Sequence, residues 1–145
     1  YSTHAHCDLV ALGVTSIGMV GNTYAQNMRT LDDYYARIDA GELAVFRGIE
    51  LNRDDELRRA VITHLICNFS LDTDKVGRDW DIRFEDYFAD ELTRLDTMSK
   101  DGLLSIDGPR IEVLPAGRLL IRNICMVFDQ YLGADGQTAR FSKVI

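Results

Sequence analysis

The segment from Leu103 to Leu114 restricts the fold of this chain more than any other. Leu103-Leu104-Ser105-Ile106 and Ile111-Glu112-Val113-Leu114 are two short apolar runs separated by Asp107-Gly108-Pro109-Arg110. Glycine tolerates the positive φ of a tight reversal and proline cannot extend a central strand, so the pair predicts a β-hairpin. Helical patterns surround it. Asn52 is placed to cap a helix with Asp54, Asp55 and Glu56 near its positive end and with Leu57, Val61, Leu65 and Ile62, Ile66, Phe69 forming a broad apolar face. A short helix is expected around Asp74 to Arg78, and a third, long one through Phe84, Tyr87, Phe88, Leu92, Leu95 and Met98, stopped by Asp101-Gly102. Pro115 opens a last helix through Leu119, Leu120, Ile124, Val127, Phe128 and Tyr131. This order predicts a winged-helix-like domain from Asn52 to Leu132.

The N-terminal third reads differently. Leu9-Val10-Ala11-Leu12 is a continuous apolar run stopped by Gly13, the pattern of a strand buried on both faces of a parallel sheet. Gly13, Gly18 and Gly21 then mark a loop around Val14-Thr15-Ser16-Ile17. In α/β folds the loop after a strand's C-terminal end is where ligands bind; a plain glycine-rich connector is the alternative. Thr30 and Asp33 resemble a capping box, and Leu31, Tyr34, Tyr35 and Ile38 follow at helical spacing until Gly41.

A chain of 145 residues, 46% hydrophobic and 27% charged, is large enough for one main core. Its apolar runs fall far short of the ~20 residues of a membrane span, and no basic region leads into one, so a soluble chain without a targeting signal or membrane partner is expected. A net charge of −7 disfavours nucleic acid. On the helix before the hairpin, Arg83, Arg94 and Lys100 are outnumbered by Glu85, Asp86, Asp90, Glu91, Asp96 and Asp101, which opposes the reading of a winged-helix nucleic-acid-binding module. Cys7, Cys67 and Cys125 form neither a disulfide framework nor a C-x-x-C motif, which fits a cytoplasmic setting, and His4, His6 and His64 lack metal-ligand spacing. The cationic groups of local interest are Arg47, Arg58-Arg59, and Arg118 with Arg122 one helical turn on. Guanidinium groups bind carboxylates through paired, charge-assisted hydrogen bonds, so Arg47, Arg58 and Arg118 are candidates for holding a small polycarboxylate; pairing with this chain's own Asp and Glu is the alternative.

Several strings resemble the oxygen-independent coproporphyrinogen III oxidases, radical S-adenosylmethionine (SAM) enzymes of haem biosynthesis. They are Asp8-Leu9-Val10-Ala11-Leu12-Gly13-Val14-Thr15-Ser16-Ile17, Gly21-Asn22-Thr23-Tyr24-Ala25-Gln26-Asn27, Arg47-Gly48-Ile49, Leu65-Ile66-Cys67-Asn68-Phe69-Ser70-Leu71-Asp72, the stretch from Gly117 to Asp129, and the terminal Arg140-Phe141-Ser142-Lys143-Val144-Ile145. The resemblance implies an α+β, mostly helical chain. Residues 1–21 would end a radical-SAM α/β barrel, 22–51 would link, 52–132 would be the winged-helix-like domain and 133–145 a C-terminal tail. The starting Tyr1 rather than Met fits the expectation of a piece of a longer, monomeric cytoplasmic enzyme whose N-terminal barrel is its partner.

For that parent the resemblance implies oxidative decarboxylation of two propionates of coproporphyrinogen III to vinyl groups, giving protoporphyrinogen IX, with one [4Fe-4S] cluster and two SAM molecules. The family's C-x-x-x-C-x-x-C cluster motif has no counterpart here, so the piece alone is expected to be inactive and to carry neither a catalytic residue nor a metal ligand. One family SAM-binding position falls on Ile17; a further one, a Gln, is expected just before Tyr1. The competing reading within the superfamily is a haem chaperone, which the long C-terminal region argues against.

Overall fold

The structure, a computed structural model, describes residues 7–134, so His4, His6 and the tail from 135 onward lie outside the described residues. The chain forms two compact units, Tyr1–Glu56 and Leu57–Ile145. Its class is mixed α/β, with small antiparallel sheets.

The first unit contains β1 (Ile17–Val20), β2 (Thr23–Asn27), α1 (Leu31–Asp39) and β3 (Val45–Glu50), with the strands in the order β1-β2-β3. Val20 pairs with Thr23, leaving Gly21-Asn22 as a two-residue loop in which Gly21 has φ +58° and Asn22 does not enter positive φ. Glycine first in such a loop is the type II′ arrangement, whose twist matches that of the flanking strands. The expected loop over residues 13–21 is corrected accordingly: Ile17 starts a strand.

The expected buried parallel strand at Leu9–Leu12 is also absent. Leu9 makes a single antiparallel bridge to Met19, with N–H···O distances of 2.7 and 2.8 Å, while Leu9, Val10 and Leu12 are 59%, 72% and 82% exposed. A strand buried on both faces needs neighbours along its whole length and covering layers, and this unit supplies one bridge. Polar bonds fix the segment instead. The Asn27 side-chain amide donates to the Ala11 and Gly13 carbonyls at 3.2 and 2.9 Å, and Asp8 accepts from the Gly21 N–H at 2.8 Å.

α1 starts as its sequence predicts: Thr30 Oγ1 accepts from the Asp33 N–H at 3.3 Å and donates to the Asp33 carboxylate at 2.6 Å. Its apolar stripe forms but is not covered, since Leu31, Tyr35 and Ile38 remain exposed. Tyr34 is the exception, its hydroxyl accepting from the Gly13 N–H at 3.1 Å.

α2 (Arg53–Asn68) is introduced by a reciprocal cap, in which Asn52 Oδ1 accepts from the Asp55 N–H at 2.9 Å and Asp55 Oδ2 from the Asn52 N–H at 3.0 Å. Beyond it come β4 (Ser70–Asp72), α3 (Thr73–Trp80), α4 (Phe84–Tyr87), α5 (Ala89–Lys100), β5 (Leu104–Asp107), β6 (Arg110–Val113), α6 (Pro115–Arg118), α7 (Ile121–Met126) and α8 (Tyr131–Ala134). β5 and β6 are the expected hairpin, closed by Gly108-Pro109, and β6 lies between β4 and β5. The Pro109 carbonyl accepts from the Thr73 N–H at 2.8 Å, which ties the turn to the start of α3.

Two expected helices are broken. The third divides into α4 and α5 at Phe88, whose backbone sits at φ −110°, ψ 32° and whose ring is fully buried against Phe84, Tyr87 and Phe128 at centroid distances of 4.7, 5.0 and 5.4 Å. Aromatic packing of this size outweighs the small helical preference of one residue. The last helix divides into α6, α7 and α8 through tight i→i−3 bonds, Leu120 to Gly117 at 2.9 Å and Phe128 to Cys125 at 3.1 Å. The core of this unit takes Leu57, Val61 and Leu65 from α2, Leu95 from α5, Leu104, Ile111 and Val113 from the hairpin, and Ile124 and Phe128 from the closing segments.

Candidate functional site

The sheet of the first unit gathers two of the nominated residues. Ile17 pairs with Gln26, and Gln26 pairs with Arg47, so the three side chains form one row across β1, β2 and β3. Residues opposite one another in antiparallel strands share a face, and two strand spacings of roughly 4.8 Å separate Ile17 from Arg47 by about 10 Å. The adjacent row, Gly18, Ala25 and Gly48, turns to the other face. A Cβ at Gly18 would stand 2.8 Å from the Leu9 carbonyl oxygen and 3.2 Å from the Ala11 nitrogen, so the segment at 9–11 lies on that side and the Ile17 row is left open. Ile17 is 55% exposed.

β1 is an edge strand, and the Met19 N–H and carbonyl point outward to Leu9. The two-residue period of a strand turns the Ile17 backbone the same way, offering a donor and an acceptor at the open edge beside an apolar side chain.

Arg47 Nε donates to Gln26 Oε1 at 2.9 Å, and Gln26 Nε2 donates to the Thr15 carbonyl at 3.3 Å. Register shifts beside this pair: Gln26 faces Arg47 while Asn27 faces Val45, leaving Phe46 as an extra residue. Such a bulge bends the strand and re-aims its side chains, and the Arg47 guanidinium carbon lies 6.0 Å from the Phe46 ring centroid. Gln26 and the bulge escaped sequence reading. Alternation around Gly21-Asn22 could have revealed the hairpin; no local signal announces the bulge.

The other arginines are differently placed. Arg58 is largely buried: it contacts Glu91 at 2.7 Å, donates to the Phe128 carbonyl at 3.1 Å and lies 5.2 Å from the Phe88 ring centroid. Its nomination as a ligand for an external carboxylate is corrected to an internal role. Arg118 is exposed, with its guanidinium 4.9 Å from the Phe69 ring centroid. Arg118 and Arg122 do not share a continuous helix, because α6 ends before α7 begins. On α4 and α5, Arg83 and Lys100 contact Asp86 and Asp96 at 3.2 and 3.5 Å, and Arg94 donates to the Val127 carbonyl at 3.1 Å. These cations are engaged locally.

Burial, with a smaller contribution from Cys67, pushes the Cys125 thiol up to about 11, whereas Cys7 and Cys67 are exposed. At pH 8 a maleimide should therefore modify two thiols in the native chain and the third only after unfolding, as counted by mass spectrometry. Rapid labelling of Cys125 under native conditions would contradict this packing.

Residues 51–120 match the family model described as the HemN C-terminal domain. The chain is 48% identical over its entire length to the oxygen-independent coproporphyrinogen III oxidase of Escherichia coli (strain K12), covering 32% of that protein. It is 37% identical over its entire length to the enzyme of the same name from Helicobacter pylori (strain ATCC 700392 / 26695), covering 31%. A solved structure reported as "Coproporphyrinogen III oxidase (HemN) from Escherichia coli is a Radical SAM enzyme" matches with a TM-score of 0.84 and 50% identity, over 90% of this chain and 30% of that one. The chain thus spans about a third of the length of the relatives it matches. The region that matches this family model contains Arg58 and Arg118, while the Ile17–Gln26–Arg47 row precedes it.

Proposed function

We propose that this chain is the C-terminal portion of an oxygen-independent coproporphyrinogen III oxidase and that its Ile17–Gln26–Arg47 row faces the parent's reaction chamber. One observation carries the assignment of the site: an apolar residue with outward-facing backbone groups and a guanidinium stand about 10 Å apart on one open sheet face. Those groups suit an adenosyl moiety and a propionate carboxylate respectively. Residues 1–21 then close a radical-SAM barrel, 22–51 link, 52–132 form a winged-helix-like domain and 133–145 a tail. The sequence of elements α2, β4, α3 to α5 and the β5–β6 hairpin, with β6 central, supports the winged-helix reading.

Two SAM molecules and a [4Fe-4S] cluster would, when bound, supply the radical chemistry for decarboxylating a propionate. Cys125 does not suit the cluster, since iron–sulfur ligands are thiolates and burial holds it as a thiol. Cluster binding is assigned to the parent's other residues. Ile17 offers apolar contact and edge hydrogen bonds to SAM, and Arg47 fixes a propionate of coproporphyrinogen III by its charge. Arg118, exposed beside Phe69, remains the weaker substrate candidate. With no helix of the described residues able to cross a membrane, the reading of the parent as a cytoplasmic monomer rests on the resemblance.

Substitution at Ile17 in the intact enzyme tests this. Ile17→Asp places a carboxylate in a desolvated contact and is expected to cost about 3 kcal/mol of SAM binding, a ~100-fold loss, whereas Ile17→Val removes one methylene worth roughly 1 kcal/mol. SAM cleavage and coproporphyrinogen III turnover are measured at matched cluster content. Wild-type values for both in Ile17→Asp would remove this position from the cofactor site.

A further inference from the structure

From the same row we infer that Gln26 is a positioning residue for Arg47, holding its guanidinium so that the two Nη groups are presented to a substrate carboxylate. The inference rests on the reading of the row just proposed. An arginine side chain has four rotatable bonds and loses considerable rotamer entropy when immobilised, so an exposed guanidinium with no fixed edge is a weak and poorly directed carboxylate ligand.

Here one edge is fixed. Nε donates to Gln26 Oε1 at 2.9 Å, and Gln26 is itself held by donating through Nε2 to the Thr15 carbonyl at 3.3 Å. Occupying Nε leaves the two Nη groups as the fork that meets a carboxylate end-on, and among the described residues no acid contacts it. An amide suits this task better than an acid: Gln26 orients the guanidinium without neutralising it. The bulge at Phe46 contributes independently, because it re-aims β3 at this pair and sets the Phe46 ring beside the cation at 6.0 Å. Thr15 is one of the few non-glycine residues at positive φ, at 59°, and its carbonyl is the one that Gln26 reaches.

The test is a double-mutant cycle in the intact enzyme with Gln26→Ala, Arg47→Ala and the pair, with Gln26→Glu as a fourth variant. The readouts are kcat and KM for coproporphyrinogen III and, independently of turnover, the dissociation constant of coproporphyrin III by fluorescence. Arg47→Ala should raise KM and the dissociation constant about 30-fold and Gln26→Ala about tenfold, with kcat falling less than threefold. In the Arg47→Ala background, Gln26→Ala should add less than twofold. Gln26→Glu should bind porphyrin no better than Gln26→Ala, since its charge engages the fork meant for the substrate.

Equal Gln26→Ala effects with and without Arg47 would overturn the inference, because Gln26 would then act on its own. A strong Arg47→Ala effect with none from Gln26→Ala would also overturn it while leaving the site intact. No change in either single variant would instead remove the carboxylate role of Arg47 itself.

Discussion

Gly117→Ala is expected to destabilise the second unit by about 3 kcal/mol or more, since this is the tightest clash that an added Cβ would make at any glycine among the described residues. A Cβ built on Gly117 would lie 1.9 Å from the Leu103 carbonyl oxygen, 2.8 Å from its carbon and 3.1 Å from Val113 Cγ1. The nearest obstacle is backbone, so no rotamer change can relieve it. That same oxygen accepts from the Leu114 N–H at 3.0 Å, and moving it opens the junction between the hairpin and α6. Overpacking a yielding core commonly costs 1–3 kcal/mol, and a contact fixed on both sides lies at or beyond the upper end of that range. Urea unfolding of the full chain should show a lowered midpoint with little change in slope. A midpoint equal to wild type would mean that α6 and β5 do not approach in this way. By comparison, Gly102→Ala meets no atom within 4 Å and should cost only the strain of its positive φ, about 1 kcal/mol.

The second large effect is expected at Arg58. Its side chain and that of Glu91 are 16% and 14% exposed, and the guanidinium also satisfies the Phe128 carbonyl. Arg58→Ala leaves Glu91 without this cation in a mostly dry setting and is expected to cost about 3 kcal/mol. Lysine should recover little of this, because an ammonium lacks the planar fork that reaches carboxylate and carbonyl together while lying over the Phe88 ring. Replacing both partners, as in Arg58→Met with Glu91→Leu, should be far milder than either single loss, since no uncompensated charge remains. Thermal unfolding of the variants checks the stabilities. Coproporphyrin III binding to the intact enzyme, measured well below the unfolding temperature, should be unchanged by Arg58→Lys. A binding defect without a stability defect would return Arg58 to the substrate candidates.

The contrast between Arg47 and Arg58 shows where sequence reading stopped. Arg47 follows Val45-Phe46 and Arg58 lies in the charged run Asp54-Asp55-Glu56-Leu57-Arg58-Arg59, but the chemistry of the two guanidinium groups is identical. Arg58 is committed to a carboxylate 33 residues away, whereas Arg47 stands on an open sheet face with, among the described residues, only its Nε hydrogen-bonded. Neither flanking sequence says which acceptor its guanidinium meets. Gln26 had no signal of its own because its place opposite Arg47 is a matter of register, and the register depended on a Gly-Asn turn and on a bulge that adds one residue to a single strand. Likewise β4, three residues long, is too short for any period to register and exists because β6 offers it a partner.

What the sequence determined alone is what local physics controls. The caps at Thr30 and Asn52, the apolar face of α2 and the Gly108-Pro109 reversal follow from side-chain oxygen placement, residue spacing and permitted φ, and these are decided within a few residues. Tertiary structure decided the rest. The break at Phe88 follows from three aromatic rings closing around it, and the breaks beyond Pro115 accompany the tight turns at Gly117–Leu120 and Cys125–Phe128. The exposure of Leu9 to Leu12 follows from the neighbours that strand would need, and the engagement of Arg58 by Glu91 from which carboxylates the fold brings within reach. Periodicity reports which face of a segment is apolar, but burial depends on what arrives to cover it, and that is set by contacts between residues distant in sequence.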